Sequence, residues 1–263
     1  MQALMPHTDQ QPRQDMVRAG RLMFERGWIA ASDGNLSIRL PNGEILATPS
    51  GVCKGTLQTE DLILCDLDGN KTGGWREPTS ELDMHLTVYR HREDVQAVVH
   101  AHPPVATGFA AAGRELNVGV LPEVIVRFGC VPLAPYGTPG TPELGESLKP
   151  FVAKHEAVLL ANHGAVTWGA DLVQAFFHME TVEHFARIAL VAELLGGARP
   201  LPKAEIQKLF AARERYGVRS RSCFTPGSPA AAEDAPAASE APPFTREQLL
   251  ALIDEALKVR GVY

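Results

Sequence analysis

Apolar positions between residues 15 and 219 change period several times. From Asp15, Met16, Ala19 and Met23 recur at helical spacing, and Gly27 is placed to end that helix, after a polar, Gln-rich arm at 1–14. NLSIRL and EILAT then read as short strands joined by Pro41-Asn42-Gly43, the pattern of a hairpin. Ser80-x-x-Asp83 can form a capping box for a helix over about Ser80–Arg92, with Leu82, Leu86 and Tyr89 on one face and Glu81 in the first turn. VQAVVHAH reads as a buried strand, PPVATGFAA as a small-residue helix, VIVRFG as a strand and AVLLANHG as another. A long helix follows over Asp171–Gly196, and a further one over about Lys203–Tyr216. This alternation of strands and helices, taken by itself, suggests an α/β fold with a parallel sheet.

Thr225–Pro243 holds seven alanines, five prolines and no basic residue. Such text buries too little apolar surface to offset the entropy of ordering, so 225–243 is expected to be a linker. Beyond it, 244–263 carries an amphipathic helix, with Leu249, Leu252, Ile253, Ala256 and Leu257 on one face. The expected organisation is therefore an arm at 1–14, one domain at 15–224, a linker and a C-terminal helix that docks on its own assembly.

Composition narrows the function. With 25 Lys and Arg against 31 Asp and Glu, the chain lacks the basic excess that nucleic acid or an anionic membrane surface calls for. No apolar run reaches the ~18–20 residues of a membrane span, and the N-terminus lacks the order of a secretory signal, so the expected address is the cytoplasm. Cys53, Cys65, Cys130 and Cys223 show no ligand or framework spacing and read as reduced thiols.

The candidate chemistry lies in histidines. His100 and His102 stand two apart in strand text, where both side chains face one way, and His163 ends the apolar run AVLLANHG. Three neutral imidazoles with an open position are the ligand set of a catalytic Zn²⁺; each motif alone is equally the mark of an ordinary core or surface histidine. Glu81 is the carboxylate best placed to move a proton beside such a metal, although a helix-start Glu also simply favours the helix dipole. Gly34-Asn35, Ser50-Gly51 and Thr79-Ser80 offer backbone amides and small polar groups that can cradle a phosphate, or serve as turn chemistry alone. Lys54 beside them reads as a solvated loop lysine, with phosphate contact as the alternative.

Taken in order, ASDGNLSIR, TPSG, PTSE, AVVHAH, APYGTPGT, NHG and RERYGVR resemble the class II aldolase family, from about Asp15 to Arg219. That family includes L-fuculose-1-phosphate aldolase, L-ribulose-5-phosphate 4-epimerase and the adducin head domain. The resemblance implies a three-layer α/β/α domain with a central, largely antiparallel sheet, assembled as a C4 homotetramer with sites at subunit interfaces. It implies His100, His102 and His163 as ligands of Zn²⁺, with Co²⁺ or Mn²⁺ as alternatives, and Glu81 as the acid/base. It further implies Gly34, Asn35, Ser50, Gly51, Thr79 and Ser80 around the phosphate of a sugar, and Tyr216 as the tyrosine closing over the aldehyde side. A second family tyrosine, supplied by the neighbouring subunit, aligns with Leu121, which favours a 5-deoxy- or 5-methylthio-ribulose 1-phosphate over L-fuculose 1-phosphate. The implied activity is reversible cleavage of a ketose 1-phosphate to dihydroxyacetone phosphate and an aldehyde. The alternatives are a 4-epimerase, a methylthioribulose-1-phosphate dehydratase and a non-catalytic, adducin-like interaction module.

Overall fold

Gly43, at φ +88°, closes the turn that sequence places at Pro41-Asn42-Gly43, and the flanking strands β1 (Asn35–Arg39) and β2 (Ile45–Ala47) pair antiparallel with Ser37 opposite Ala47. The molecule is seen in a computed structural model that describes residues 9–117 and 119–213. The linker 225–243, the C-terminal helix at 244–263, Cys223 and Tyr216 lie outside the described residues.

The strands β3 (Ile63–Cys65), β4 (Lys71–Gly73), β5 (Ala97–Ala101), β6 (Leu133–Ala134), β7 (Ala157–Leu160) and β8 (Gly164–Gly169) complete one eight-stranded sheet. Its order is β4-β3-β2-β1-β5-β8-β7-β6, and among these pairs only β6 with β7 is parallel. The parallel sheet suggested by alternation is therefore corrected, and the largely antiparallel one implied by the resemblance is what forms. The reason is local: β7 turns directly into β8 and β1 into β2, and two-strand returns of that kind must be antiparallel.

Among the described residues seven α-helices flank the sheet, the last packed on the fourth: α1 (Gln10–Glu25), α2 (Leu82–His91), α3 (Pro104–Ala111), α4 (Pro122–Arg127), α5 (Pro142–Val152), α6 (Leu172–Leu194) and α7 (Lys203–Arg213). Alternation along β5 divides the core. Ala97, Val99 and Ala101 pack with Met16 and Met23 of α1, Phe109 of α3 and Phe176 and Met179 of α6. Val98 faces the other way, with Leu82 and Leu86 of α2 and Leu144 and Leu148 of α5. Helix, sheet and helix thus form three layers, each core built by the period-two strand meeting a period-3.6 helix.

Three local expectations change. The N-terminal helix starts at Gln10, not Asp15: Arg13 is buried, paired with Asp9 at 2.9 Å and donating to the carbonyls of Thr59 and Leu62. VIVRFG belongs to α4 rather than to a strand, because Pro122 at its first turn suits a helix start and Val124, Ile125 and Phe128 bury one helical face. Cys53 and Cys65 are free thiols as expected, whereas Cys130 is disulfide-bonded, since sequence spacing does not report which sulfurs meet in space. No helix among the described residues is long and apolar enough to cross a membrane.

Candidate active site

Because side chains alternate on β5, His100 points to the same face as Val98, towards the start of α2, and His102 follows just past the strand end. His163 arrives from the turn between β7 and β8. That turn is tight, with Asn162 at φ +55° and Gly164 so close to β5 that a β-carbon there would lie 2.5 Å from the Ala101 carbonyl oxygen. The three imidazole centroids are 4.7–5.0 Å apart. The three residues expected as metal ligands are thus brought together by one strand and one turn.

Their nitrogens fit a metal. One nitrogen from each ring lies within 4.8 Å of the others, against about 3.4 Å for tetrahedral ligands at Zn–N distances near 2.05 Å. His100 Nδ1 is 2.9 Å from the Ala165 carbonyl oxygen, so Nδ1 carries the hydrogen and Nε2 presents a lone pair. That lone pair faces His102 Nε2 at 3.1 Å and Glu81 Oε2 at 3.3 Å. A lone pair aimed at a carboxylate oxygen is repulsive unless a cation lies between them. Burial holds the His102 imidazole down at about 4, in the neutral form that a metal ligand needs. Its outer nitrogen lies 3.6 Å from Asp33 Oδ2.

Glu81 is the N-cap residue of α2, not part of its first turn, and the capping box is absent: Asp83 pairs instead with Arg90 at 3.0 Å. The Glu81 carboxylate turns away from its own helix, with Oε1 3.1 Å from His163 Nε2. Burial pushes its carboxyl up, but His100, then His163 and Asn35, outweigh that and hold it well below the usual carboxylate range.

The six residues expected around phosphate gather beside this centre. Thr48 links them: its backbone pairs with Leu36 and with Thr79, and Pro49 bridges Pro78. The Ser50-Gly51 turn therefore lies against Thr79-Ser80, with Gly34-Asn35 adjacent. Ser50 and Thr79 donate their own amides to the carbonyls of Glu77 and Thr48, and the buried Thr79 hydroxyl accepts from the Glu81 amide at 3.4 Å, while Ser50, Gly51 and Ser80 are exposed. Gly34, at φ +66°, has no room for a side chain, since a β-carbon would lie 2.5 Å from Ile29 Cγ2. One hydrogen of the Asn35 amide goes to Glu81 Oε2 at 2.7 Å, leaving the second for a ligand.

Lys54 departs from expectation. It is only 2% exposed, and its ammonium donates to the Ser32 carbonyl, tying the Ser50–Lys54 turn to the Ser32–Asn35 loop. Burial lowers it to about 8 against the opposing pull of Asp33. Two further residues were not singled out by sequence. His85, fully buried, meets Asn35 Oδ1 at 2.5 Å, and its spacing of four from Glu81 was a legible signal. Glu183 accepts from the Val105 and Ala106 amides and so fixes the start of α3 just after His102. A contact across 77 residues leaves no local signature.

A family model described as "Class II Aldolase and Adducin N-terminal domain" matches residues 14–190. The chain belongs to that family. A 3-oxo-tetronate 4-phosphate decarboxylase of Pectobacterium atrosepticum is 37% identical over 188 residues, 70% of this chain and 86% of that protein. A 5-deoxy-D-ribulose 1-phosphate aldolase of Bacillus thuringiensis is 36% identical over 211 residues, 79% of this chain and 98% of that protein. A solved L-fuculose 1-phosphate aldolase superposes with a TM-score of 0.73 at 31% identity, covering 79% of this chain and 97% of that one. As a class II aldolase family member the chain is an enzyme of the carbon–carbon lyase type, and its histidine triad and adjoining carboxylate occupy one corner of the fold, with His100 and Glu81 buried and His102 and His163 partly exposed.

Proposed function

We propose that this chain is a divalent-metal aldolase that reversibly cleaves a ketose 1-phosphate to dihydroxyacetone phosphate and an aldehyde. The observation that carries this reading is the Glu81 carboxylate held 3.1 and 3.3 Å from the Nε2 atoms of His163 and His100. It stands at a metal-binding triad while making no capping bond to its own helix. Zn²⁺, with Co²⁺ or Mn²⁺ as substitutes, would be held by His100, His102 and His163 and would supply Lewis-acid stabilisation of negative charge on the substrate's carbonyl oxygen.

The chain's own residues do the rest. Gly34, Asn35, Ser50, Gly51, Thr79 and Ser80 receive the phosphate, which places the C3–C4 bond beside Glu81. As that bond breaks and the aldehyde leaves, the proton lost by the C4 hydroxyl passes by way of Tyr216 to the ionised Glu81 carboxylate, which delivers it to C3 of the enediolate; in the synthetic direction Glu81 withdraws that proton from C3 and it returns to the C4 oxygen. Tyr216 serves the C4 oxygen. Leu121, in place of the family tyrosine, favours an aldehyde with an apolar terminus, so the preferred substrates are 5-deoxy- or 5-methylthio-ribulose 1-phosphate, ahead of L-fuculose 1-phosphate. The assembly is a C4 homotetramer in the cytoplasm, with the helix at 244–263 docked on it.

A second reading is decarboxylation of a phosphorylated 3-oxo sugar acid, favoured by the 37% identity to the Pectobacterium decarboxylase. There carbon dioxide leaves in place of the aldehyde, and Glu81 again protonates the carbon left behind. One panel separates the two: dihydroxyacetone phosphate release from the ketose 1-phosphates, against carbon dioxide release from 3-oxo-tetronate 4-phosphate, each with and without chelator. Chelator-sensitive dihydroxyacetone phosphate release is the expected result. Carbon dioxide release alone establishes the second reading, and full turnover by Glu81→Gln in either assay sinks the role given to Glu81.

A further inference from the structure

β1 and α2 face each other with two different repeats that agree in length. Glu81, His85 and Tyr89 recur every four residues, about 6 Å apart on a helix rising about 1.5 Å per residue. Asn35 and Ser37 recur every two residues, about 6.6 Å apart on a strand rising about 3.3 Å per residue. The polar side chains therefore interleave. Asn35 Nδ2 is 2.7 Å from Glu81 Oε2, Asn35 Oδ1 2.5 Å from His85 Nε2, His85 Nδ1 2.7 Å from Ser37 Oγ, and Ser37 Oγ 2.8 Å from the Tyr89 hydroxyl. All five residues are buried.

The direction of every hydrogen in this ladder follows from one end. An ionised carboxylate only accepts, so Asn35 turns its NH₂ to Glu81 and its oxygen to His85. His85 must then carry its hydrogen on Nε2, leaving Nδ1 as an acceptor for the Ser37 hydroxyl, whose oxygen in turn accepts from Tyr89. Burial keeps the His85 imidazole neutral, with its titration lowered to about 3. The ladder also answers a puzzle at Glu81. An N-cap carboxylate ordinarily accepts from the amides of its own helix, yet this one makes no capping bond.

We propose that His85 is a positioning residue for Glu81: through Asn35 it holds the carboxylate off its helix and towards the histidine triad, while Ser37 and Tyr89 fix the tautomer that lets it do so. The inference rests on the reading of Glu81 as the proton-transfer group, and two measurements keep them apart. In the zinc-loaded, full-length protein, ¹⁵N NMR should find His85 as the neutral Nε2–H tautomer from pH 5.5 to 8; an Nδ1–H tautomer, or protonation in that range, overturns the ladder. Hydrogen exchange between dihydroxyacetone phosphate and D₂O, without aldehyde, reads the Glu81 step alone.

There His85→Leu should lose about 10–100-fold, and His85→Gln, whose amide can donate to Asn35 and accept from Ser37, should stay within about threefold. Metal content and the KM for dihydroxyacetone phosphate should stay unchanged in both. Equal exchange by His85→Leu and the unsubstituted protein overturns the proposal. Should His85→Leu fail to fold, Ser37→Ala replaces it: a His85 tautomer and an exchange rate both unaltered would count equally against the ladder. Absence of exchange in the unsubstituted protein overturns the role of Glu81 instead, and the tautomer then decides the ladder by itself.

Discussion

His100 Nδ1 lies 2.9 Å from the carbonyl oxygen of Ala165 on β8, so the register between two strands decides which nitrogen of a candidate metal ligand carries hydrogen. With that hydrogen directed into the sheet, Nε2 is left to the triad. Replacing His100, His102 or His163 by alanine is expected to weaken Zn²⁺ binding by more than about 100-fold. Metal stoichiometry by plasma mass spectrometry, with far-UV circular dichroism as the control for folding, checks this.

Gly164 is a second point of control. A β-carbon there would meet the Ala101 carbonyl oxygen at 2.5 Å and His102 Cδ2 at 2.6 Å, so β5 and the β7–β8 turn approach this closely only with glycine. Gly164→Ala should cost about 1–3 kcal/mol in urea unfolding and lower metal affinity together. A variant of unchanged stability and metal binding would show that the turn relaxes at no cost.

Much of this arrangement was legible in the sequence, for physical reasons that differ by residue. His100 and His102 share a face because strand alternation is strict, and Gly43 marks its turn because few other residues adopt its backbone. α4 was misread because Val124 and Ile125 carry strand propensity, while the buried helical face they share with Phe128 decides the outcome. β8 and α5 went unannounced: GAVTWG begins and ends in glycine, and Pro150 sits inside an otherwise helical segment. Lys54 looked solvated because composition cannot tell that Ser32, 22 residues earlier, folds over its ammonium. Polar ladders such as Asn35-His85-Ser37 become visible only once a helix is laid against a particular strand.

His178 sets a pH dependence remote from the triad. It accepts from Arg127 and donates to the Trp168 carbonyl oxygen, and burial lowers its titration from 6.5 to about 4. Since the folded value lies below the unfolded one, its contribution to stability is complete above about pH 6.5 and is lost as pH falls towards 4. Between pH 7.5 and 5 the expected loss from this group is at most about 2 kcal/mol. Urea unfolding at the two pH values should show it, and His178→Gln should flatten the difference.

Lys54 makes the opposite demand on pH. Its ammonium is charged below about 8 and joins the two loops that carry Gly34-Asn35 and Ser50-Gly51. Inhibition by inorganic phosphate should therefore weaken as pH rises from 7 to 9.5. Lys54→Met should raise the substrate KM by about 10-fold with a smaller effect on kcat, the split that separates loss of binding from loss of chemistry. A phosphate inhibition constant flat across that range would show that the lysine braces the loops without contributing charge.

β5 carries two of the three histidines at its end and is held by antiparallel neighbours on both edges, β1 and β8. Its amides should exchange with solvent only when the whole molecule opens, whereas the exposed turns at Ser50-Gly51 and Ser80 can open locally. The proposed phosphate cradle and the histidine triad therefore sit on parts of the chain with different freedom to drift. Exchanges in those turns can alter how the phosphate is held at little risk to the fold, while the triad stays anchored to a strand that opens only with the whole molecule.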